Sequence, residues 1–447
     1  MIPQEMKKSL QELKINAFLR ESNIKKAKGT TIFEVFTTIF LLSFQKETWF
    51  QQKFMSDKSD SLVGKDVVYR FLNRATYNWK KFLLLLSSHL IGLCSRLTSN
   101  ERVKVLVLDD TLFSKARSKS VELLSTVFDH TTRKYVKGFQ CLVLGWTDGA
   151  SFVPVNFSLM ASVKHLIKGI NEDIDKRTSG YKRRLEATAS KPIIAAKLIE
   201  EALANGISAS YVLMDTWFTE APLIKSILTQ GLDVIGMVKR GPKRLYDYKG
   251  KKYTAERLLK LVNRNTHSSE IIGSIHVKMN SGIPVKLVFI KHRNNPKKWL
   301  VLLSTDQSLS DEEIVRIYGY RWNIEIFFKC NKSHLNLSSE FQCRSYDSLI
   351  AHTSIVFSRY IFLAWEQRKA NDDKTLGYLF FEFGEDIREV DFTEALLALM
   401  NFILDIVMNQ QEEVIIKVAD FKNAVLTWIS TLPKYLQRFL GVLIPVD

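Results

Sequence analysis

The sequence predicts a mixed α/β fold, and three observations carry that prediction. Apolar runs of strand length recur from 103 to 240, the first of them VKVLVLD (103–109). The runs before 160 are separated only by turns, which suits antiparallel pairing. Those after 190 alternate strand, helix, strand, which calls for parallel pairing. On both sides of this region the chain reads as helix.

The N-terminal hundred residues contain TTIFEVFTTIFLLSF (30–44) and WKKFLLLLSSHLIGL (79–93), both apolar at helical spacing. Between them GKDVVYRFLNR (64–74) is a short helix with Lys65, Tyr69, Arg70, Asn73 and Arg74 largely on one side. That side suits either a DNA-reading helix or an ordinary solvated face. The first strand, VKVLVLD, is followed by polar Asp110 and Thr111. GFQCLVLGWTDG (138–149) and SFVPVNFSLM (151–160) form a hairpin with its turn at Asp148-Gly149. A basic stretch from Lys164 to Lys191 follows, expected as an exposed loop or helix. KPIIAAKLIEEALANG (191–206) is a helix stopped by Gly206, YVLMD (211–215) the fourth strand, TEAPLIKSILTQG (219–231) a helix and LDVIGMVKR (232–240) the fifth strand.

Three strands, helix, strand, helix, strand is the ribonuclease-H-like order of elements, lacking its last helix. Residues 241–308 interrupt it with further strand-like runs, EIIGSIHVKM (270–279), IPVKLVFIKH (283–292) and KWLVLLST (298–305). The missing helix then arrives as SDEEIVRIYGYRWNIEIFFKCNK (310–332), opened by a Ser310 cap and three acidic residues. The expected organisation is a helical DNA-binding segment (1–98), a ribonuclease-H-like catalytic domain (99–240 and 309–375), a β-rich insertion (241–308) and a helical C-terminal segment (376–447) suited to dimerisation.

Charge narrows the partner. The chain has 64 Lys plus Arg against 47 Asp plus Glu, a net +17 over 447 residues. Residues 1–100 hold 16 basic and 8 acidic residues, net +8, and residues 333–447 hold 10 and 16, net −6. The middle therefore carries 38 against 23, net +15. A polyanion that binds the first three quarters of the chain is implied. Cys94, Cys141, Cys330 and Cys343 lie far apart, which excludes a zinc ribbon or a disulfide scaffold. The N-terminus has no signal-peptide core and no apolar stretch is long enough to span a bilayer, so a soluble cytoplasmic protein away from membranes is expected. Phosphate-binding glycine loops are absent from the sequence.

Three carboxylates stand out by position: Asp110 after the first strand, Asp215 ending the fourth, and Glu325 on the late helix. Strands one and four are neighbours in a ribonuclease-H-like sheet, so the three acids converge. Converged carboxylates repel one another unless cations neutralise them, and hard oxygen ligands suit Mg²⁺ or Mn²⁺. Two such ions support phosphodiester chemistry. On the helix, Tyr318, Arg321, Glu325 and Lys332 fall within a stripe roughly 60° wide at 100° per residue. One acid, two bases and a phenol make an odd solvent face and an odd core face, and suit a bound phosphodiester.

The motifs VLVLDDT (105–111), YVLMDTWF (211–218) and YGYRWNIEIFFKCNK (318–332) resemble those of bacterial insertion-sequence transposases of the DDE type, in the group bearing the YREK signature. The resemblance spans roughly 100–335. It implies that Asp110, Asp215 and Glu325 are a catalytic triad binding two Mg²⁺ or Mn²⁺ ions, and that Tyr318, Arg321 and Lys332 position DNA. Asp110 is preferred to Asp109 because the family acid directly precedes Thr, here Thr111. Asp109 is then expected on the other face of the strand. The family activity is cut-and-paste transposition of double-stranded DNA at terminal inverted repeats, performed by a homodimer on the nucleoid. Related members stack a flipped base on tryptophan, for which Trp322 and Trp217 are candidates. A ribonuclease-H-like nuclease without strand transfer, or a domesticated DNA-binding protein without catalysis, are the alternatives.

Overall fold

The computed structural model describes residues 2–26, 28–54, 63–97, 101–129, 132–170, 174–262, 269–292, 295–370, 373–408, 425–428 and 431. Helices come first: α1 (Gln4–Glu12), α2 (Ile15–Glu21), α3 (Ile32–Leu41), α4 (Trp49–Phe54), α5 (Lys65–Leu72) and α6 (Trp79–Arg96). The start of α3 is fixed by a capping box, in which Thr31 accepts from the Glu34 amide and Glu34 reaches back to the Thr31 amide. Then follow β1 (Val105–Ser114), β2 (Ser125–Asp129), β3 (Lys134–Thr147), β4 (Phe152–Met160), α7 (Ser179–Thr188), α8 (Lys191–Ala204), β5 (Tyr211–Met214), α9 (Ala221–Thr229) and β6 (Asp233–Met237).

The sheet runs β4-β3-β1-β5-β6, antiparallel on one side of β1 and parallel on the other. This is the ribonuclease-H-like order. The Asp148-Gly149 turn closes the β3–β4 hairpin: Asp148 accepts from the amides of Ala150 and Ser151, and Gly149 takes φ +91°. Three details differ from expectation. Strand β1 runs on through Asp109 and Asp110 to Ser114, because β3 supplies partners along its whole length. Strand β2, absent from the sequence reading, pairs with the first residues of β3. The basic stretch contains α7, whose Arg183 and Arg184 are buried rather than exposed.

The segment after β6 continues the sheet. It comprises β7 (Tyr246–Tyr248), β8 (Lys251–Tyr253), α10 (Ala255–Leu259), β9 (Ile271–Met279), β10 (Pro284–His292) and β11 (Asn295–Ser304). β11 pairs antiparallel with β6, and β10 and β9 follow. One sheet thus extends from the core into the insertion.

The late helix is two helices, α11 (Asp311–Gly319) and α12 (Trp322–Ser333). Between them Tyr320, Arg321, Asn323 and Ile324 each donate their amide three residues back, which tightens the turn without redirecting the chain much. Both junction residues, Tyr320 and Arg321, keep right-handed helical dihedrals. The last described helices are α13 (Tyr346–Lys369) and α14 (Leu376–Met408). Helix α13 is buried from Tyr346 through Trp365 because β4, α3, α5, α6, α12 and α14 all pack on it. The N-terminal helices therefore share one apolar core with the sheet. Most of the chain beyond 408, where dimer contacts are expected, lies outside the described residues. No described helix is long and apolar enough to cross a membrane.

Candidate active site

The parallel register of β1 and β5 builds the site. Val105 through Leu108 pair one to one with Tyr211 through Met214. The next residue on each strand is an aspartate, so Asp109 and Asp215 emerge side by side. Residues alternate faces along a strand, and Asp109 and Thr111 turn to the face covered by α12. There Asp109 Oδ2 accepts from Arg321 Nη1 at 2.7 Å, and Thr111 Oγ1 accepts from Lys332 Nζ at 2.6 Å. Arg321 also reaches Glu325 at 3.4 Å. The charges of Asp215 and Glu325 both act on Asp109. The structure thus brings together Asp109, Asp215, Glu325, Arg321, Tyr318 and Lys332.

It does not bring Asp110 into this group, and the expected orientation is corrected. Asp110 points to the opposite face, where Lys191 at the start of α8 pairs with it and with Gln140. The Asp-Thr dipeptide alone points to Asp110. A physical signal was available: VLVLD and YVLMD each run four residues into an aspartate, and parallel strands in register place those two aspartates together.

The turn after β5 is fixed by Asp215 itself. Its Oδ1 accepts from the amides of Trp217 (2.9 Å) and Phe218 (3.1 Å), and its carbonyl accepts from the Thr219 hydroxyl at 2.6 Å. Thr219 lies so close to β6 that a Cβ at Gly236 would sit 2.4 Å from its hydroxyl oxygen. Any larger residue at 236 pushes this turn outward.

Electrostatics mark the site as strained without a further cation. Burial pushes the Asp109 carboxyl up to about 7; Arg321 works against that shift, and the charges of Asp215 and Glu325 add to it. Burial opposes the charge on Arg321 as well, but Tyr318, Asp109, Glu325 and Asp215 together raise its pKa above the ordinary arginine value. Burial also raises the Tyr318 phenol and lowers the Lys332 ammonium from their ordinary values. The Tyr318 hydroxyl is buried beside the Arg321 guanidinium.

Among the described residues no three acidic, thiol or imidazole side chains stand close enough to hold an ion as they lie. The Arg321 guanidinium links Asp109 and Glu325. Even so, the donor chemistry fits a hard divalent cation: three carboxylates, one of them pushed toward its neutral form by burial and by the charges of the other two.

Both candidate tryptophans are at the surface. Trp322, beside Arg321, is 64% exposed, and Trp217 is 47% exposed. Trp217 borders a cavity of about 680 Å³ that is also lined by Pro192, Lys239, Arg240, Lys243 and Arg244. These basic residues straddle the start of the insertion at 241 and are not singled out by the sequence. In the N-terminal helices, Lys65, Arg70, Asn73 and Arg74 are exposed. Tyr69 instead packs edge-on to Phe341, and Asn73 accepts from the Ser345 hydroxyl. The face proposed for α5 is therefore divided between solvent and packing.

Comparison with known proteins gives two family matches. Residues 55–249 match the model of the DDE superfamily endonucleases, and residues 188–361 that of the transposase DDE domain. No curated protein matches. Among solved structures, similarity is found to the piggyBac transposase in a synaptic complex with hairpin DNA, at 14% identity and a TM-score of 0.47, covering 91% of this chain and 86% of that one. The Drosophila P element transposase in a strand transfer complex is matched at 10% identity and a TM-score of 0.23, covering 88% of this chain and 92% of that one. The two family matches overlap across Asp215 and together contain Asp109 and Glu325, so the stretch that holds the site is similar to DDE-superfamily transposase domains.

Proposed function

We propose that the protein is a DNA transposase that moves an insertion sequence by cut-and-paste transposition, with Asp109, Asp215 and Glu325 as its metal-binding carboxylates. The observation that carries this reading is the register of β1 and β5, which sets Asp109 beside Asp215 under the helix bearing Arg321 and Glu325. Bound Mg²⁺ or Mn²⁺ supplies Lewis acidity for the attacking and leaving oxygens of phosphodiester cleavage. The chain's own groups do the rest. Arg321 and Lys332 are charged donors on the same helix and bind the phosphates on either side of the scissile bond. In the free protein Arg321 is held by Asp109 and Glu325, and Lys332 by Thr111. To bind phosphate, both would exchange these partners for it, leaving Asp109 and Glu325 to hold the cation. Tyr318, buried against Arg321, backs that guanidinium at the same phosphate backbone, and the exposed indoles of Trp217 and Trp322 are platforms for unstacked bases. The YREK spacing supports placement in the group of that name, whose members work as homodimers on terminal inverted repeats.

The test is a labelled duplex carrying the element's terminus, incubated with purified protein and Mg²⁺. Wild type nicks the terminus, and Asp215→Ala reduces nicking by at least roughly 10²-fold. Equal nicking by both proteins rejects the assignment.

A further inference from the structure

Lys191 is oddly placed for a surface lysine. It opens α8, where a cation opposes the helix dipole. Its side chain is only 17% exposed. The ammonium group meets partners from three elements: it pairs with Asp110 on β1, donates to Gln140 Oε1 on β3, and lies 4.3 Å from the centre of the Trp217 ring. Asp110 adjoins Asp109 in the chain. Trp217 and its neighbour Phe218 supply the two amides that hold Asp215 Oδ1. A single half-buried charge thus ties the strand bearing one carboxylate to the turn bearing the other, from the face of the sheet opposite Arg321.

We propose that Lys191 is a positioning residue that sets the separation and orientation of Asp109 and Asp215, acting through Asp110 and through a cation–π contact with Trp217. The proposal rests on the reading of those two carboxylates as metal ligands. Two of the three ammonium N–H donors of Lys191 go to Asp110 and Gln140 and its charge lies against the Trp217 ring, so it holds the site's shape and leaves DNA to other residues. An outer group that orients metal ligands commonly changes metal affinity by roughly 10–100-fold when removed.

The test uses the full chain without DNA and then with it. Mn²⁺ binding, followed by electron paramagnetic resonance, weakens by about tenfold in Lys191→Met and recovers in Lys191→Arg, which keeps both charge and ring contact. Trp217→Leu, at an exposed position, produces the same weakening and serves if Lys191→Met does not fold. The affinity for terminal DNA in the absence of divalent ions keeps its dependence on salt in every variant. Mn²⁺ binding unchanged in both Lys191→Met and Trp217→Leu overturns the proposal. So does a salt slope shallower by about one in Lys191→Met, which would make Lys191 a phosphate contact. Asp215→Ala separates the two readings. If it leaves Mn²⁺ binding intact, the metal-site assignment fails; if it removes binding that both other variants preserve, only the role of Lys191 fails.

Discussion

Asp109→Asn abolishes terminal cleavage, by roughly 10²–10³-fold or more, whereas Asp110→Asn lowers it by only about tenfold. The two residues are adjacent and chemically identical, so the contrast depends only on which face of β1 each occupies. Asp109 faces Arg321, Asp215 and Glu325; Asp110 faces Lys191 and Gln140. The reverse ranking in a cleavage assay would restore Asp110 as the catalytic carboxylate. A stability measurement carries the same contrast. Without divalent ions the folded Asp109 keeps its proton up to about pH 7, against an ordinary aspartate value of 3.8. Across that interval the native state binds more protons than the unfolded chain, so stability falls as pH rises. The slope approaches about 1.4 kcal/mol per pH unit where Asp109 alone differs. Urea unfolding at pH 5 and pH 8 detects the fall. Asp109→Asn flattens it, and Mg²⁺ opposes it by binding the ionised form of the folded site.

Arg184→Met destabilises the protein by about 3–5 kcal/mol while leaving the intrinsic DNA affinity of the folded fraction unchanged. Arg184 is 1% exposed. Its guanidinium holds both oxygens of Glu122, at 2.7 Å each, and both oxygens of Asp347, at 2.8 and 2.9 Å. Arg183 binds Asp347 from the other side and reaches the carbonyls of Tyr77 and Ala75. The cluster joins the segment before β2, α7, α13 and the turn between α5 and α6. Removing the Arg184 guanidinium leaves Asp347 with Arg183 and takes from Glu122 the group that holds both its oxygens, and the cost follows from that uncompensated charge. The urea midpoint measures it. A loss of DNA affinity at unchanged stability would instead make Arg184 a DNA contact.

That stretch illustrates what sequence carries and what it does not. Charge sign is legible, but burial is set by partners: Glu122 and Asp347 lie 62 and 163 residues from Arg184, and nothing local marks them. The core strands were legible because four-residue apolar runs have few other uses, and β5 and β6 are separated by a helix that enforces parallel pairing. Strand β2 was missed because STVFD is short and mostly half-buried. The continuation of the sheet into the insertion depends on β6 pairing with β11, a contact across more than sixty residues. The helical stripe of Tyr318, Arg321, Glu325 and Lys332 was legible because the break at Tyr320–Arg321 keeps helical dihedrals. The face of Asp109 was not, because a dipeptide resemblance outweighed the parity of two matched strands.

In the proposed transposase one carboxylate cluster, holding divalent cations, both cleaves DNA and joins it. A pre-cleaved duplex with a free terminal 3′-hydroxyl, mixed with the protein and a supercoiled plasmid, tests the joining step most directly. Wild-type protein with Mg²⁺ converts the plasmid into a covalently joined product, and chelation of the metal, Asp109→Asn or Asp215→Ala each eliminates that product. A wild-type protein that nicks the terminus but never joins it to the plasmid would contradict the transposase reading in favour of a nuclease. Joining that persists in Asp215→Ala would contradict the assignment of the site.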